Sequence, residues 1–244
     1  MTPLSPTSPI ATGIAGVGTA IVILMMISQG PLYRSTIIAK GSLATITVAP
    51  LVGMLFNMSA WSWYGFAIND PNVINVNVAG VCLVACFMMC QLWFNDNENR
   101  LRVGRTFALA STIALGIEAG LFFGLSGSTR ASCLAYFSIG CNVFLFASPI
   151  VALRSALKAM DSSALPVLLI VMNNLCSICW AGYGFLVADY YILGPNVAGT
   201  ILNLAQLAGS IYLAMAGKKH EKLEDDEVRL IEADSEATFD GGVN

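Results

Sequence analysis

Apolar residues run along this chain in blocks too long for the buried face of a water-soluble helix, and the breaks between blocks are short and polar. A membrane-crossing helix needs about 20 mainly apolar residues. Seven blocks meet that length, at residues 11–33, 45–68, 73–94, 104–125, 131–153, 165–188 and 190–214. The first is longer than the apolar core of a cleaved signal and lacks a basic start, so it reads as a helix. The pattern predicts an all-α membrane protein with these divisions: a short lead over 1–10, three helices over 11–95, a fourth over 96–127, three more over 128–216, and an acidic tail over 217–244.

Composition agrees. Of the 244 residues, 56% are hydrophobic and 11% charged, against about 25% charged in an ordinary soluble domain. The net charge of −3 belongs to the tail, because the body up to Gly217 is slightly basic. The tail is charged and nearly free of aromatics, which predicts disorder, and Asp226 with Leu230 and Ile231 fits an acidic-dileucine sorting pattern. No basic patch interleaved with aromatics points to nucleic acid. Basic residues favour cytosolic loops. Here eleven of the twelve follow the first, third, fifth or seventh block, with Arg130 on the other side. That asymmetry predicts an outer N-terminus and a cytosolic C-terminus, in the plasma membrane or an endomembrane such as Golgi or vacuole.

All seven cysteines lie within apolar blocks. Cys82, Cys86 and Cys90 share a helical face and suggest a packing stripe; Cys176 and Cys179 form a CxxC without the second pair or histidine a metal site needs. The single histidine, His220, is in the tail. No metal, no cofactor and no enzyme chemistry is expected: the spans contain no Ser/His/Asp set and no paired carboxylates. Glu118 is the one acid inside a span.

The chain repeats itself. Trp61-x-x-Tyr64-Gly65-Phe66 returns as Trp180-x-x-Tyr183-Gly184-Phe185, and thirteen residues beyond each tyrosine stands Asn-Val-Ala-Gly, at Asn77 and Asn196. Pro50 precedes Asn57 by seven residues, as Pro166 precedes Asn173, and Pro31 and Pro149 stand near the ends of the first and fifth blocks. The first three helices therefore recur as the last three. An odd number of crossings must separate two copies of like orientation, so the fourth helix is an inverting linker and the fold is two parallel three-helix repeats, 3+1+3. Repeat transporters bind near the midplane between their repeats. Asn77 and Asn196 each bring two N–H donors and an acceptor oxygen to that level, and Trp61 and Trp180 bring flat indole faces. Two amides and two indoles suit a neutral polyhydroxyl ring better than an ion. Proline removes a helix hydrogen bond, so Pro31, Pro50, Pro149 and Pro166 read either as hinges of an inner gate or as helix ends. No acid or histidine stands beside these groups in either repeat, which points to downhill transport rather than proton coupling.

Pro31, Pro50, Trp61, Tyr64-Gly65 and Asn77, then Ser148-Pro149, Pro166, Trp180, Tyr183-Gly184, Pro195-Asn196 and Gln206, make the chain similar to the SWEET (MtN3/saliva) sugar transporters. The resemblance implies a sugar pocket at Asn77, Asn196 and Trp180 with position 61 as the fourth wall, a proline tetrad at Pro31, Pro50, Pro149 and Pro166, and an outer gate at Tyr64 and Asp189 near Tyr183. It also implies association of several copies. Many plant members carry a small residue where Trp61 stands; two facing indoles predict a monosaccharide rather than sucrose. The alternatives are a PQ-loop exporter of amino acids or another small solute, although no Pro-Gln pair is present, and a seven-helix receptor, although such receptors lack this repeat.

Overall fold

The computed structural model describes residues 2–161 and 165–240, with side chains through residue 216. Among the described residues there are eight helical segments: α1 Pro9–Ile27, α2 Gly30–Lys40, α3 Ala49–Ile68, α4 Pro71–Trp93, α5 Asn97–Gly124, α6 Gly127–Ala159, α7 Val167–Val187 and α8 Tyr190–Asp240. α1 and α2 are one predicted span divided in two, so seven membrane-crossing units result. Six are long and apolar enough to cross a bilayer by composition. The other, α3, is diluted by Asn57, Ser59, Ser62 and its Trp and Tyr residues, and these turn inward.

Burial is inverted relative to a soluble protein. Gln91, Glu118 and Ser138 are fully buried, whereas Leu168, Phe144 and Phe123 are three-quarters exposed, at 79%, 75% and 74%. An outer surface of that kind is stable only in lipid. The helices contact one another in a closed circuit, α1–α4–α3–α6–α8–α7 and back to α1. In each repeat the third helix thus lies between the first and the second, and the two repeats meet where α1 packs on α7 and α3 on α6. α5 stays outside the circuit against α3, α4 and α6, as a linker should. The Ser59 hydroxyl joins it to α3 by a 2.7 Å bond to Glu118 Oε1, while Glu118 Oε2 lacks a partner among the described residues.

The Tyr-Gly pairs of the repeat are explained by the hairpins that follow them. α3 ends with Asn69 in the left-handed region at φ 55° and α7 ends with Ala188 at φ 57°. Asp70 N–H donates to Gly65 and Asp189 N–H to Gly184, each closing a Schellman turn. The next helix starts so close that a Cβ on Gly65 would lie 3.0 Å from the Ile74 backbone nitrogen, and one on Gly184 2.7 Å from that of Leu193. Glycine is required there by a neighbouring backbone that cannot yield.

Several expectations are corrected. The first span breaks at Ser28 and Gln29, and Pro31 opens the new helix α2 instead of closing the old one. Pro50 lies in the first turn of α3 and Pro166 caps α7, positions where the missing N–H costs little. Pro149 is inside α6, which continues to Ala159. Cys82 and Cys86 are exposed on α4, so they face outward and do not form a packing stripe. Beyond Gly217, where composition predicts disorder, α8 continues to Asp240. That segment has no proline and many strong helix formers, and extending an existing helix avoids nucleation. The Asp226–Ile231 pattern lies beyond the described side chains.

The hairpin analysis gives a stability test. Gly184→Ala should lower the unfolding temperature in detergent by several degrees, since overpacking costs about 1–3 kcal/mol. Gly182→Ala, where a Cβ meets nothing within 4 Å, should leave it unchanged; equal melting of the two variants contradicts the close-approach account.

Candidate functional site

Spacing around the hairpins sets the depth of the site. Trp61 lies eight residues before Asn69 and Asn77 eight after it; Trp180 and Asn196 stand in the same relation to Ala188. At the helical rise, all four lie at one level roughly 12 Å below the turns. There they line a single cavity of about 170 Å³, completed by residues that include Val73, Ile192, Asn57, Asn142 and Cys176. The structure thus brings together Asn77, Asn196, Trp61 and Trp180. Among the described residues no Asp, Glu, Lys, Arg or His lines the cavity, and no group of three or more metal-ligating side chains occurs.

The two amides are held alike. Asn77 Nδ2 donates to the Val73 carbonyl and Asn196 Nδ2 to the Ile192 carbonyl, both at 2.8 Å. The second N–H and the carbonyl oxygen of each have no hydrogen-bond partner among the described residues. The indoles are held alike too: Trp61 meets Tyr64 edge-on at 5.5 Å between centroids, and Trp180 meets Tyr183 at 5.4 Å. Trp180 also presses on α1, where a Cβ on Gly18 would lie 2.8 Å from the indole nitrogen. Trp63 packs on Phe122 and Phe123 of the linker helix, and Trp93 is exposed.

One turn outward the repeats are crossed. Tyr64 Oη donates to Asp189 Oδ2 at 2.6 Å, and Tyr183 Oη donates to Asp70 Oδ2 at 2.5 Å. The other oxygen of each aspartate caps a helix: Asp70 Oδ1 accepts from Asn72 and Val73 N–H, and Asp189 Oδ1 from Tyr191 and Ile192 N–H. Tyr64, Asp70 and Asp189 line a second cavity on the outward side of the tryptophans, together with Pro6 of the lead. The lead is fastened there by Leu4 N–H on the Leu186 carbonyl at 2.8 Å and by Asn72 Nδ2 on the Pro6 carbonyl at 2.7 Å.

Two groups escape the sequence reading. Asp70 is 1% exposed and is the register partner of Asp189, six residues beyond its tyrosine; that spacing was the available signal. Asn57 lines the cavity and donates to Asn142 of α6 at 2.5 Å. Counting from proline pairs Asn57 with Asn173, but Asn57 lies four residues before Trp61, and the residue four before Trp180 is Cys176. Cys176, not Asn173, lines the cavity. Among the prolines, Pro149 contacts another element through its carbonyl, which accepts from Gln206 Nε2 of α8 at 3.3 Å.

Comparison with known proteins agrees with this geometry. The family model described as "sugar efflux transporter for intercellular exchange" matches twice, over residues 14–99 and 132–220, and the gap between the matches holds most of α5. The bidirectional sugar transporter SWEET7b of Oryza sativa subsp. indica is 26% identical over 213 residues, covering 84% of this chain and 79% of its own. The bidirectional sugar transporter SWEET2a of Sorghum bicolor is 27% identical over 215 residues, covering 86% and 87%. A eukaryotic SWEET transporter structure solved at 3.7 Å superposes with a TM-score of 0.78 at 22% identity, covering 84% of this chain and 98% of that one. With both three-helix repeats matched, the chain belongs to the MtN3/SWEET family of sugar efflux transporters.

Proposed function

We propose that this protein carries a monosaccharide of the glucose type across its membrane in either direction, down the sugar's own gradient, by alternating access. The observation that carries the proposal is the central cavity: two amides with free donor and acceptor atoms and two indoles, at one depth, with no charge among them. Indole faces suit the C–H faces of a pyranose, and amides suit its hydroxyl rim. A volume of about 170 Å³ is below the roughly 300–1,000 Å³ of ordinary ligand pockets, which favours one sugar ring over two. The uncharged lining also disfavours an amino acid, whose ammonium and carboxylate would enter without partners. The relatives named bidirectional sugar transporters support the same reading.

In the proposed cycle Asn77 and Asn196 bind the hydroxyls, Trp61 and Trp180 sandwich the ring, and the crossed Tyr64–Asp189 and Tyr183–Asp70 bonds form the outer gate. Pro31, at the α1–α2 break, and Pro149, inside α6, are the hinges of the inner gate; Pro50 and Pro166 set where their helices begin. The N-terminus lies outside and the C-terminus in the cytosol, because the basic loops are at the end opposite the tyrosine gate.

Uptake of radiolabelled glucose into proteoliposomes is the direct test. Asn77→Ala or Asn196→Ala should each reduce uptake about ten-fold or more, as expected when hydrogen bonds worth about 1 kcal/mol apiece are lost in a transport cycle. Sucrose should lag behind glucose, and Trp61→Ala should narrow that difference; sucrose carried as fast as glucose, with Trp61→Ala of no effect, removes the size argument. A protonophore should leave glucose uptake and countertransport unchanged, and loss of both would mean that the carrier is proton-coupled. Finally, Gly18→Val should push the Trp180 indole into the cavity and raise the KM for glucose several-fold. Gly13→Val, whose Cβ meets nothing within 4 Å, should not.

A further inference from the structure

Two cavities beside the linker helix take no part in the central site. One, of about 300 Å³, is polar and lies at the basic end of the bundle; Thr45, Thr47, Asn99, Arg102 and Thr106 are among its walls. The other, of about 760 Å³, is almost wholly apolar and runs between α3, α5 and α6 past Val52, Phe56, Gly140 and Phe144. They adjoin, since Thr47, Val48 and Thr106 line both.

We infer that together they bind one phospholipid with an anionic headgroup, its phosphate at Arg102 and the threonine hydroxyls and one acyl chain in the groove. Charge is the first reason. Arg102 is exposed and its guanidinium donates to the neutral side-chain oxygen of Asn99 at 2.7 Å. Arg105, one turn along the same helix, is exposed as well, and among the described residues no carboxylate lines either cavity. Length is the second. From Ala49 to Phe56, α3 climbs roughly 10 Å, about two-thirds of one leaflet of a hydrocarbon core roughly 30 Å thick. The third reason is order: a cationic, hydroxyl-bearing recess at the membrane surface leads into an apolar groove at membrane depth, the sequence of chemistry along a phospholipid. The apolar face of a second copy would cover the groove but bring no anion to Arg102 in the recess. The basic end of the bundle is where the positive-inside pattern places the cytosolic leaflet, which carries the anionic lipids.

Binding there has a consequence for transport. Phe56 precedes Asn57, and Trp61 follows one turn later, so a chain in the groove braces the wall of the sugar cavity from behind.

Native mass spectrometry of the delipidated full-length protein, titrated with palmitoyl-oleoyl phosphatidylglycerol or with the matching phosphatidylcholine, tests the inference. One phosphatidylglycerol should be retained at least about ten-fold more tightly than phosphatidylcholine. Arg102→Gln, a surface change, should abolish that preference without changing the melting temperature of the lipid-free protein. Gly140→Leu should remove binding of both lipids, because a Cβ at Gly140 meets nothing within 4 Å and the side chain enters the groove. Equal retention of the two lipids, or wild-type binding by both variants, overturns the inference. So does a lipid-free oligomer that Gly140→Leu dissociates, which would make the groove an interface between copies.

Discussion

Each half of this bundle is held closed by the other through an aspartate with two separate duties. One oxygen of Asp70 starts α4 by accepting its first N–H groups while the second reaches across to Tyr183, and Asp189 does the same for α8 and Tyr64. Neither aspartate can therefore shift without disturbing a helix start or a cross-repeat bond. The two duties are of similar weight: a hydrogen bond to a charged group is worth about 1.5–3 kcal/mol and a helix N-cap about 0.5–2 kcal/mol.

Those tyrosines also prop the indoles. With Trp61 on Tyr64 and Trp180 on Tyr183 in edge-on contact, each worth about 0.5–1.5 kcal/mol, the state of the gate is felt at the cavity one turn below. On the proposed cycle, closing the outer gate sets the walls against which the sugar packs, and releasing it loosens them. With no charged residue among the described residues that line the cavity, the sugar itself supplies the differential binding between the two states of that cycle. The sugar gradient alone can then bias the exchange.

Much of this architecture could be read from the chain because a bilayer leaves few solutions: about 20 apolar residues per crossing, with every backbone group satisfied within the helix. The cavity was legible for a related reason. A tryptophan eight residues before a turn and an asparagine eight after it share a depth in any tight helical hairpin, and the pair occurs twice. Asp70 escaped although Asp189 is its visible twin, six residues beyond the matching tyrosine; Asn57 escaped for want of one. Asn57 has Cys176 as its register partner, so counting repeated letters misses it, and counting from proline misleads because the run from Pro166 to Trp180 is three residues longer than that from Pro50 to Trp61. The break between α1 and α2 falls on Ser28-Gln29-Gly30-Pro31, a short polar run that reads as part of the first apolar block because apolar residues flank it on both sides. The helical continuation of α8 to Asp240 was hidden because charge density argues for disorder while residue propensity argues for helix.

The mismatch at Asn57 also separates the two sides of an otherwise twofold cavity. Val73 faces Ile192, the two indoles match and the two amides match, but Asn57 with its partner Asn142 stands where the second repeat presents the sulfur of Cys176. Trp180, wedged on Gly18, has no freedom to recede. A perfectly symmetric cavity would accept a sugar in two orientations of equal energy, each with half its hydroxyls poorly placed. Here one pole supplies additional amide groups and the other a weakly polar thiol, so on the proposed reading the hydroxyl-rich edge of the ring turns toward α3 and α6. Gene duplication supplies the paired gate, but the preference for one bound pose has to come from the positions where the copies have diverged.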